Sequence, residues 1–353
     1  MIILSEAPTR VDLAGGTLDI WPLYLFHGNS QTINVAIRCY ARCRLTPRRD
    51  RAIHLISRDL AREERFPSLD ALVKTRKFRL PLLARLVVAF VKSRSLVAPL
   101  LGMTGKRESG GFSLETDSDS PAGAGLGGSS SLNIAICGAL VRFTGKRLSS
   151  EKLIKIAGDV EAQVLGVPTG VQDYYAAAYG GVQAIRLAPG GIVSERLAVN
   201  HADLAARGVL CYSGESRNSG INNWEVMKAH VDGNRAVRRH FDRIAAIAAA
   251  MRSAMEQNDW KETARLLNQE WEARERNHPG ITTPGIERLI RAARRNGARA
   301  AKACGAGGGG CVFFLCEPGA KRNVETVLRR AGARVIPFVV APRGLAVRQD
   351  NGE

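Results

Sequence analysis

The chain has 353 residues, 45% of them hydrophobic and 24% charged, which excludes disorder over most of the length because enough apolar surface is present to offset chain entropy. Charge is not balanced: 51 basic against 33 acidic residues give +18 at pH 7, with 40 arginines and 11 lysines, and this raises nucleic acid, anionic membranes and phosphorylated small molecules as partners. The start of the chain lacks the cationic and apolar pattern of a signal peptide, and the longest apolar stretch, 80–91, is interrupted by Pro81 and Arg85 and falls short of the roughly 20 residues that cross a bilayer.

Residues 1–60 read as strands and turns, with Val11-Asp12-Leu13-Ala14 running into Gly15-Gly16 and a β-branched alternation over 33–45. Helical periodicity follows at 82–92, then a short strand at 110–116. A glycine-rich run at 121–131 leads into a helix over 132–143 with little charge, hence a buried one. A second helix over 149–165 has Ser149 and Ser150 as cap candidates. Strands at 182–187 and 192–199 read as a hairpin turning at Pro189-Gly190-Gly191. Composition changes near residue 200, where three long helical segments follow (226–257, 260–275, 284–296). A strand at 311–316, a helix at 322–330 and a last strand at 334–340 complete the pattern, with a frayed tail at 350–353. The seven cysteines form no Cys-x-x-Cys pair and keep no company of histidines at zinc-ligand spacing. Reduced thiols in a cytoplasmic protein are the expectation.

Glycine carries the chemistry. Gly123-x-Gly125-x-x-Gly128 and Gly305-x-Gly307-x-x-Gly310 both satisfy the dinucleotide fingerprint, which shows how permissive that pattern is. Six residues including Pro121 separate the first from its strand, so a dinucleotide loop is not indicated, and the Walker pattern is missing. The 121–131 segment still specifies an anion site. Its glycines let backbone N–H groups approach an anion, it feeds a helix N-terminus, and Ser129, Ser130 and Ser131 add hydroxyls.

Three segments in order resemble the GHMP kinases, the family of galactokinase, homoserine kinase, mevalonate kinase and phosphomevalonate kinase. They are Pro8-Thr9-Arg10-Val11-Asp12-Leu13-Ala14-Gly15-Gly16-Thr17-Leu18-Asp19, the run from Pro121 to Ser131, and Lys302-Ala303-Cys304-Gly305-Ala306-Gly307-Gly308-Gly309-Gly310-Cys311. A fourth, Gly170-Val171-Gln172-Asp173-Tyr174-Tyr175-Ala176-Ala177-Ala178-Tyr179-Gly180-Gly181, is similar to a run in heptose-phosphate kinases, as is Ser213-Gly214-Glu215-Ser216-Arg217-Asn218-Ser219. Gly128 stands where the family usually carries its first serine, so Ser129 is the matching position. Leu18 replaces the threonine common in sugar kinases.

The resemblance implies a two-domain α+β GHMP fold. Residues 1–198 would form an N-terminal domain like the second domain of ribosomal protein S5, and 199–353 a ferredoxin-like C-terminal domain, with the active site between them. It implies transfer of the ATP γ-phosphoryl group to a hydroxyl of a sugar or sugar phosphate, with a heptose 7-phosphate phosphorylated at the anomeric position as the leading substrate. Asp173 would be the base, and its alternative role is capping the following helix. Arg10 would stabilise developing charge and depress the base's pKa. ATP would lie on Pro121, Gly123, Ala124, Gly125, Leu126, Gly127, Gly128, Ser129 and Ser130, and Mg²⁺ on Ser129 and Glu161. Asp19, Gly16, Thr17, Gln172, Arg217, Gly307 and Gly308 would hold the acceptor.

Alternatives remain a mevalonate or isoprenoid-type kinase or decarboxylase of the same fold and, more remotely, a nucleic-acid-binding protein. Arg288, Arg291, Arg295 and Arg299 recur at helical spacing, as do Arg235, Arg238, Arg239 and Arg243. No aromatic residues interleave with either band, so neither nucleic acid nor membrane is expected as a partner. The assembly is expected to be a monomer or homodimer around a small-molecule substrate.

Overall fold

The computed structural model describes residues 1–92, 110–215 and 219–350. Two sheets organise it. Strands β1 (Ile2–Ala14), β2 (Gln31–Pro47), β3 (Ile53–Ser57), β4 (Arg62–Phe66), β5 (Phe112–Ser118), β6 (Val182–Ala188), β7 (Gly191–Arg196) and β12 (Ala346–Asp350) form an eight-stranded sheet. Strands β8 (Gly208–Tyr212), β9 (Ala298–Ala303), β10 (Cys311–Cys316) and β11 (Arg334–Ile336) form the second, in the order β11-β8-β10-β9. Taken in chain order, its strands lie 4-1-3-2 with helices between the first and second and between the third and fourth, the β-α-β-β-α-β arrangement of ferredoxin-like folds.

The Gly128–Phe143 helix is the centre of the first layer. Every residue from Ser130 to Leu140 is buried, because β1 and β2 cover one side and the Pro81–Lys92, Ser150–Leu165 and Gln172–Tyr179 helices cover the other. That all-round burial explains its weak amphipathic pattern. It starts four residues earlier than its apolar pattern suggests, at Gly128, so the three serines belong to its first turn rather than to the preceding loop.

Three expectations are corrected. The helix expected over 226–257 is two helices, Ser219–Val231 and Arg235–Glu256. Gly233 takes φ +89° between them, and the Asn234 side chain accepts from the N–H groups of Ala236 and Val237 to start the second. Residues 346–350, expected in the C-terminal unit, pair antiparallel with Ile2–Glu6 of β1 and close the edge of the first sheet. Their charged, exposed sequence carries no strand alternation, so the pairing is a tertiary effect. The strand expected over 334–340 ends at Ile336, with an isolated bridge from Val340 to Ile37. All seven cysteines are buried and none forms a disulfide. No helix among the described residues is long and apolar enough to cross a membrane.

Candidate active site

A cavity of about 360 Å³ lies where the two sheets meet. Its walls come from the β1 end and the turn after it (Arg10, Asp12, Thr17, Asp19), from the 118–130 segment, from Glu161, from Gln172 and Asp173, and from Asn223, Arg274, Gly305 and Ala306.

The phosphate loop is shaped by glycine. Gly127 is the N-cap of the Gly128–Phe143 helix with φ +71°, and a Cβ there would lie 2.9 Å from Asp173 Oδ2. Only glycine lets the helix N-terminus come this close to that carboxylate. The loop rests on the third glycine-rich segment, where Cys311 N–H donates to the Ala124 carbonyl at 2.7 Å. A Cβ at Gly310 would lie 2.7 Å from the same oxygen.

At the first turn of this helix Ser129 Oγ donates to Glu161 Oε1 at 2.5 Å. Glu161 Oε2 accepts from Ser130 Oγ at 2.8 Å, Asn133 Nδ2 at 3.0 Å and the Tyr174 hydroxyl at 2.7 Å. Burial pushes the Glu161 carboxyl up from its ordinary range, against the pull of these donors.

Arg10, on β1, is held on both sides. Its Nε and Nη2 reach Asp173 Oδ1 at 2.8 and 2.6 Å, and its Nη1 donates to the Gly125 carbonyl at 2.6 Å. Asp173 sits in the first turn of the Gln172–Tyr179 helix. Asp19 is fully enclosed, and Gln172 N–H donates to its Oδ2 at 2.9 Å. Burial pushes its carboxyl up to about 6 despite that hydrogen bond.

The structure thus gathers Arg10, Thr17, Asp19, Glu161, Gln172, Asp173, Pro121, Gly123, Ala124, Gly125, Gly127, Gly128, Ser129 and Ser130 around one cavity. Four expected residues lie elsewhere. Leu126 points into the apolar core, and only its carbonyl serves the site, accepting from Arg10 N–H at 2.9 Å. Gly16 lies behind the wall, its carbonyl bound to Arg274. Gly307 and Gly308 pack on Ile281, whose carbonyl accepts from Gly308 N–H at 2.7 Å, because the loop needs that anchor to fold back. Gly305 and Ala306 form the wall in their place. Arg217 lies outside the described residues. Sequence reasoning missed Asn133, Asn223 and Arg274. Arg274 sits on a long helix whose remaining charges are mostly solvated, so no local signal marks it.

The model of the GHMP kinases N terminal domain matches residues 87–181, and that of the GHMP kinases C terminal domain matches 251–334. A D-glycero-alpha-D-manno-heptose 7-phosphate kinase of Campylobacter jejuni is 29% identical over 356 residues, covering 97% of this chain and 98% of that protein. A mevalonate kinase of Pyrococcus horikoshii is 29% identical over 247 residues, covering 68% and 69%. The crystal structure of a D-glycero-D-manno-heptose 1-phosphate kinase from Bacteroides thetaiotaomicron has the same fold, with a TM-score of 0.78 at 22% identity over 99% of this chain and 100% of that one. Two matched domains in order, a serine-bearing helix start on a glycine loop, and an acid facing that loop together show that the chain belongs to the GHMP kinase family, whose members use ATP as a substrate.

Proposed function

We propose that this enzyme transfers the γ-phosphoryl group of ATP to the anomeric hydroxyl of a heptose 7-phosphate or a closely similar sugar phosphate. The observation that carries the chemistry is the fixed pair Arg10–Asp173 beside the Ser129–Glu161 pair, in a cavity that Asp19 also lines. The similarity to a heptose 7-phosphate kinase along nearly the full length of both chains supports the acceptor class, whereas the similarity to the mevalonate kinase covers about two thirds.

In this reading the helix N-terminus at 128–130 and the loop amides receive the ATP phosphates. Arg10 engages Oδ1 of Asp173, which leaves Oδ2 to accept the proton of the attacking hydroxyl. The acceptor oxygen bonds to the γ-phosphorus, the bond to the β,γ-bridging oxygen breaks, and ADP leaves with that oxygen's electron pair. Arg10 stabilises charge on the transferring group and orients the base. Asp19 and Gln172 hold acceptor hydroxyls.

The residues present fit a magnesium ion. Ser129 and Glu161 offer a hydroxyl and a carboxylate oxygen, a hard donor set, and among the described residues Oε2 of Glu161 accepts from three side chains while Oε1 accepts from Ser129 alone. When bound, such an ion neutralises phosphate charge during transfer. The test is an ATP-coupled assay over heptose 7-phosphate, hexose phosphates, free sugars, homoserine and mevalonate, with the product's phosphorylated carbon assigned by NMR. The largest kcat/KM is expected for heptose 7-phosphate with phosphate added at C1. A preference for mevalonate or for a free hexose would overturn the assignment.

A further inference from the structure

Next to Thr17 and Asp19, and in part lining the cavity, lies a charged cluster that the roles above do not use. Asp12 of β1, Glu270 and Arg274 of the Trp260–Glu275 helix, and Lys302 of β9 are all buried. Lys302 Nζ lies 3.0 Å from both Asp12 Oδ2 and Glu270 Oε2, while Arg274 Nη2 lies 2.6 Å from Glu270 Oε1 and 3.5 Å from Asp12 Oδ2. Two cations and two carboxylates balance, so the cluster joins both sheets without presenting net charge to a ligand.

Arg274 does more than balance charge. Its Nη2 also donates to the Gly16 carbonyl at 2.8 Å, and its Nη1 donates to Thr17 Oγ1 at 3.1 Å. Thr17 has φ +73°, a region that β-branched residues rarely adopt and keep only when their surroundings hold them there. Thr17 Oγ1 in turn faces Asn223 Oδ1 at 3.4 Å, and the turn runs on to Asp19 through hydrogen bonds from Leu18 to Gly15 and from Ile20 to Thr17. A Cβ at position 16 would fall 2.3 Å from Asp12 Oδ2 and 2.8 Å from Arg274 Nη2, so the backbone is pressed directly onto the cluster.

We propose that Arg274 is a positioning residue for the acceptor: its planar fork clamps the Gly16–Thr17 turn in a strained conformation and thereby sets Thr17 and Asp19, linking acceptor geometry to the C-terminal half. The proposal rests on reading the part of the cavity at Thr17 and Asp19 as the acceptor site. A lysine would keep the charge but not the fork, since one ammonium cannot match a carboxylate, a carbonyl and a hydroxyl in the same plane. Arg274→Lys therefore separates positioning from charge balance.

Acceptor KM and the Kd of a non-hydrolysable ATP analogue are to be measured for wild type, R274K, T17G and the double variant, using the hydroxyl compound that the wild type phosphorylates best. R274K is expected to raise acceptor KM 10- to 100-fold with nucleotide Kd within twofold. In the T17G background the same change is expected to cost less than threefold, because glycine adopts positive φ without a clamp. Thr17→Val, which removes the hydroxyl and leaves the cluster whole, is expected to raise acceptor KM and keeps the proposal testable should R274K fold poorly. A crystal structure of R274K is expected to show Thr17 at negative φ, an outcome independent of any acceptor. Equal weakening of acceptor and nucleotide, an undiminished loss in T17G, an unchanged T17V, or Thr17 still at positive φ in R274K would each overturn it. Inactivity of the wild type on sugar phosphates would instead overturn the acceptor class and leave the crystallographic outcome to decide the clamp.

Discussion

Arg10 directs two nitrogens at a single oxygen of Asp173, Oδ1, at 2.8 and 2.6 Å, while its third reaches the Gly125 carbonyl of the phosphate loop at 2.6 Å. One guanidinium therefore fixes the acid relative to the loop, and the acid's second oxygen faces Gly127. Asp173→Asn keeps the shape and an acceptor for Arg10 but cannot take a proton. Its kcat is expected to fall about 10²- to 10⁴-fold, the usual contribution of a positioned base, while calorimetry with a non-hydrolysable ATP analogue shows nearly unchanged affinity. Turnover within tenfold of wild type would remove Asp173 from the reaction.

Ser129 and Ser130 are neighbours with different partners. Ser129 Oγ bonds the Oε1 of Glu161, which has no other side-chain donor among the described residues, whereas Ser130 bonds Oε2, which Asn133 and Tyr174 also serve. Ser129→Ala is expected to raise the Mg²⁺ concentration for half-maximal activity by about tenfold or more, and Ser130→Ala by less than about threefold, since two donors remain on its oxygen. Magnesium titrations at saturating ATP decide this, and equal effects would place the ion elsewhere.

Much of the site was legible because its residues sit in short runs of rare composition. Glycine and serine at 121–131, and an acid between Gln172 and Tyr174, have few structural uses together. The wall residues contributed by distant elements were not legible. Arg274 looks like any charge on the Trp260–Glu275 helix, and only its placement 257 positions from Thr17 gives it a role. Asp12 and Lys302 did leave a trace, each a charge flanked by apolar residues in its strand, but a charge in a strand does not say which partner neutralises it. The fold followed the same rule. Strands with alternation were placed well, the helix break at Asn234 was hidden by continuous apolar spacing, and β12 has no pattern of its own.

Asp19 predicts opposite pH effects on binding and stability. Its folded carboxyl sits near 6, above the ordinary value of 3.8, because burial disfavours the charge. A raised carboxyl holds its proton longer in the folded state, so its contribution to stability is lost as pH rises from about 4 to 6.5. Across that window wild type is expected to lose on the order of 2 kcal/mol relative to Asp19→Asn, measured by chemical denaturation at pH 4.5 and 7.5. Acceptor affinity runs the other way, because the ionised form accepts sugar hydroxyls, so acceptor KM is expected to rise as pH falls through about 6. An acceptor KM that is flat from pH 5 to 8 would separate Asp19 from acceptor binding.

Lys302 is enclosed between Asp12 and Glu270 at 3.0 Å from each. Lys302→Met removes one cation from a balanced set of four and leaves Arg274 alone against two buried carboxylates. The expected cost is about 3–5 kcal/mol, typical of a broken buried pair. Glu270→Gln added to it restores one charge of each sign, Arg274 against Asp12, and is expected to recover a large part of that loss rather than add to it. Urea midpoints for wild type, both single variants and the double variant give the cycle. Recovery would identify charge imbalance as the source of the loss. Additive losses would mean that the methylene packing and the separate ion pairs of Lys302 dominate, and the cluster would then be a set of independent contacts.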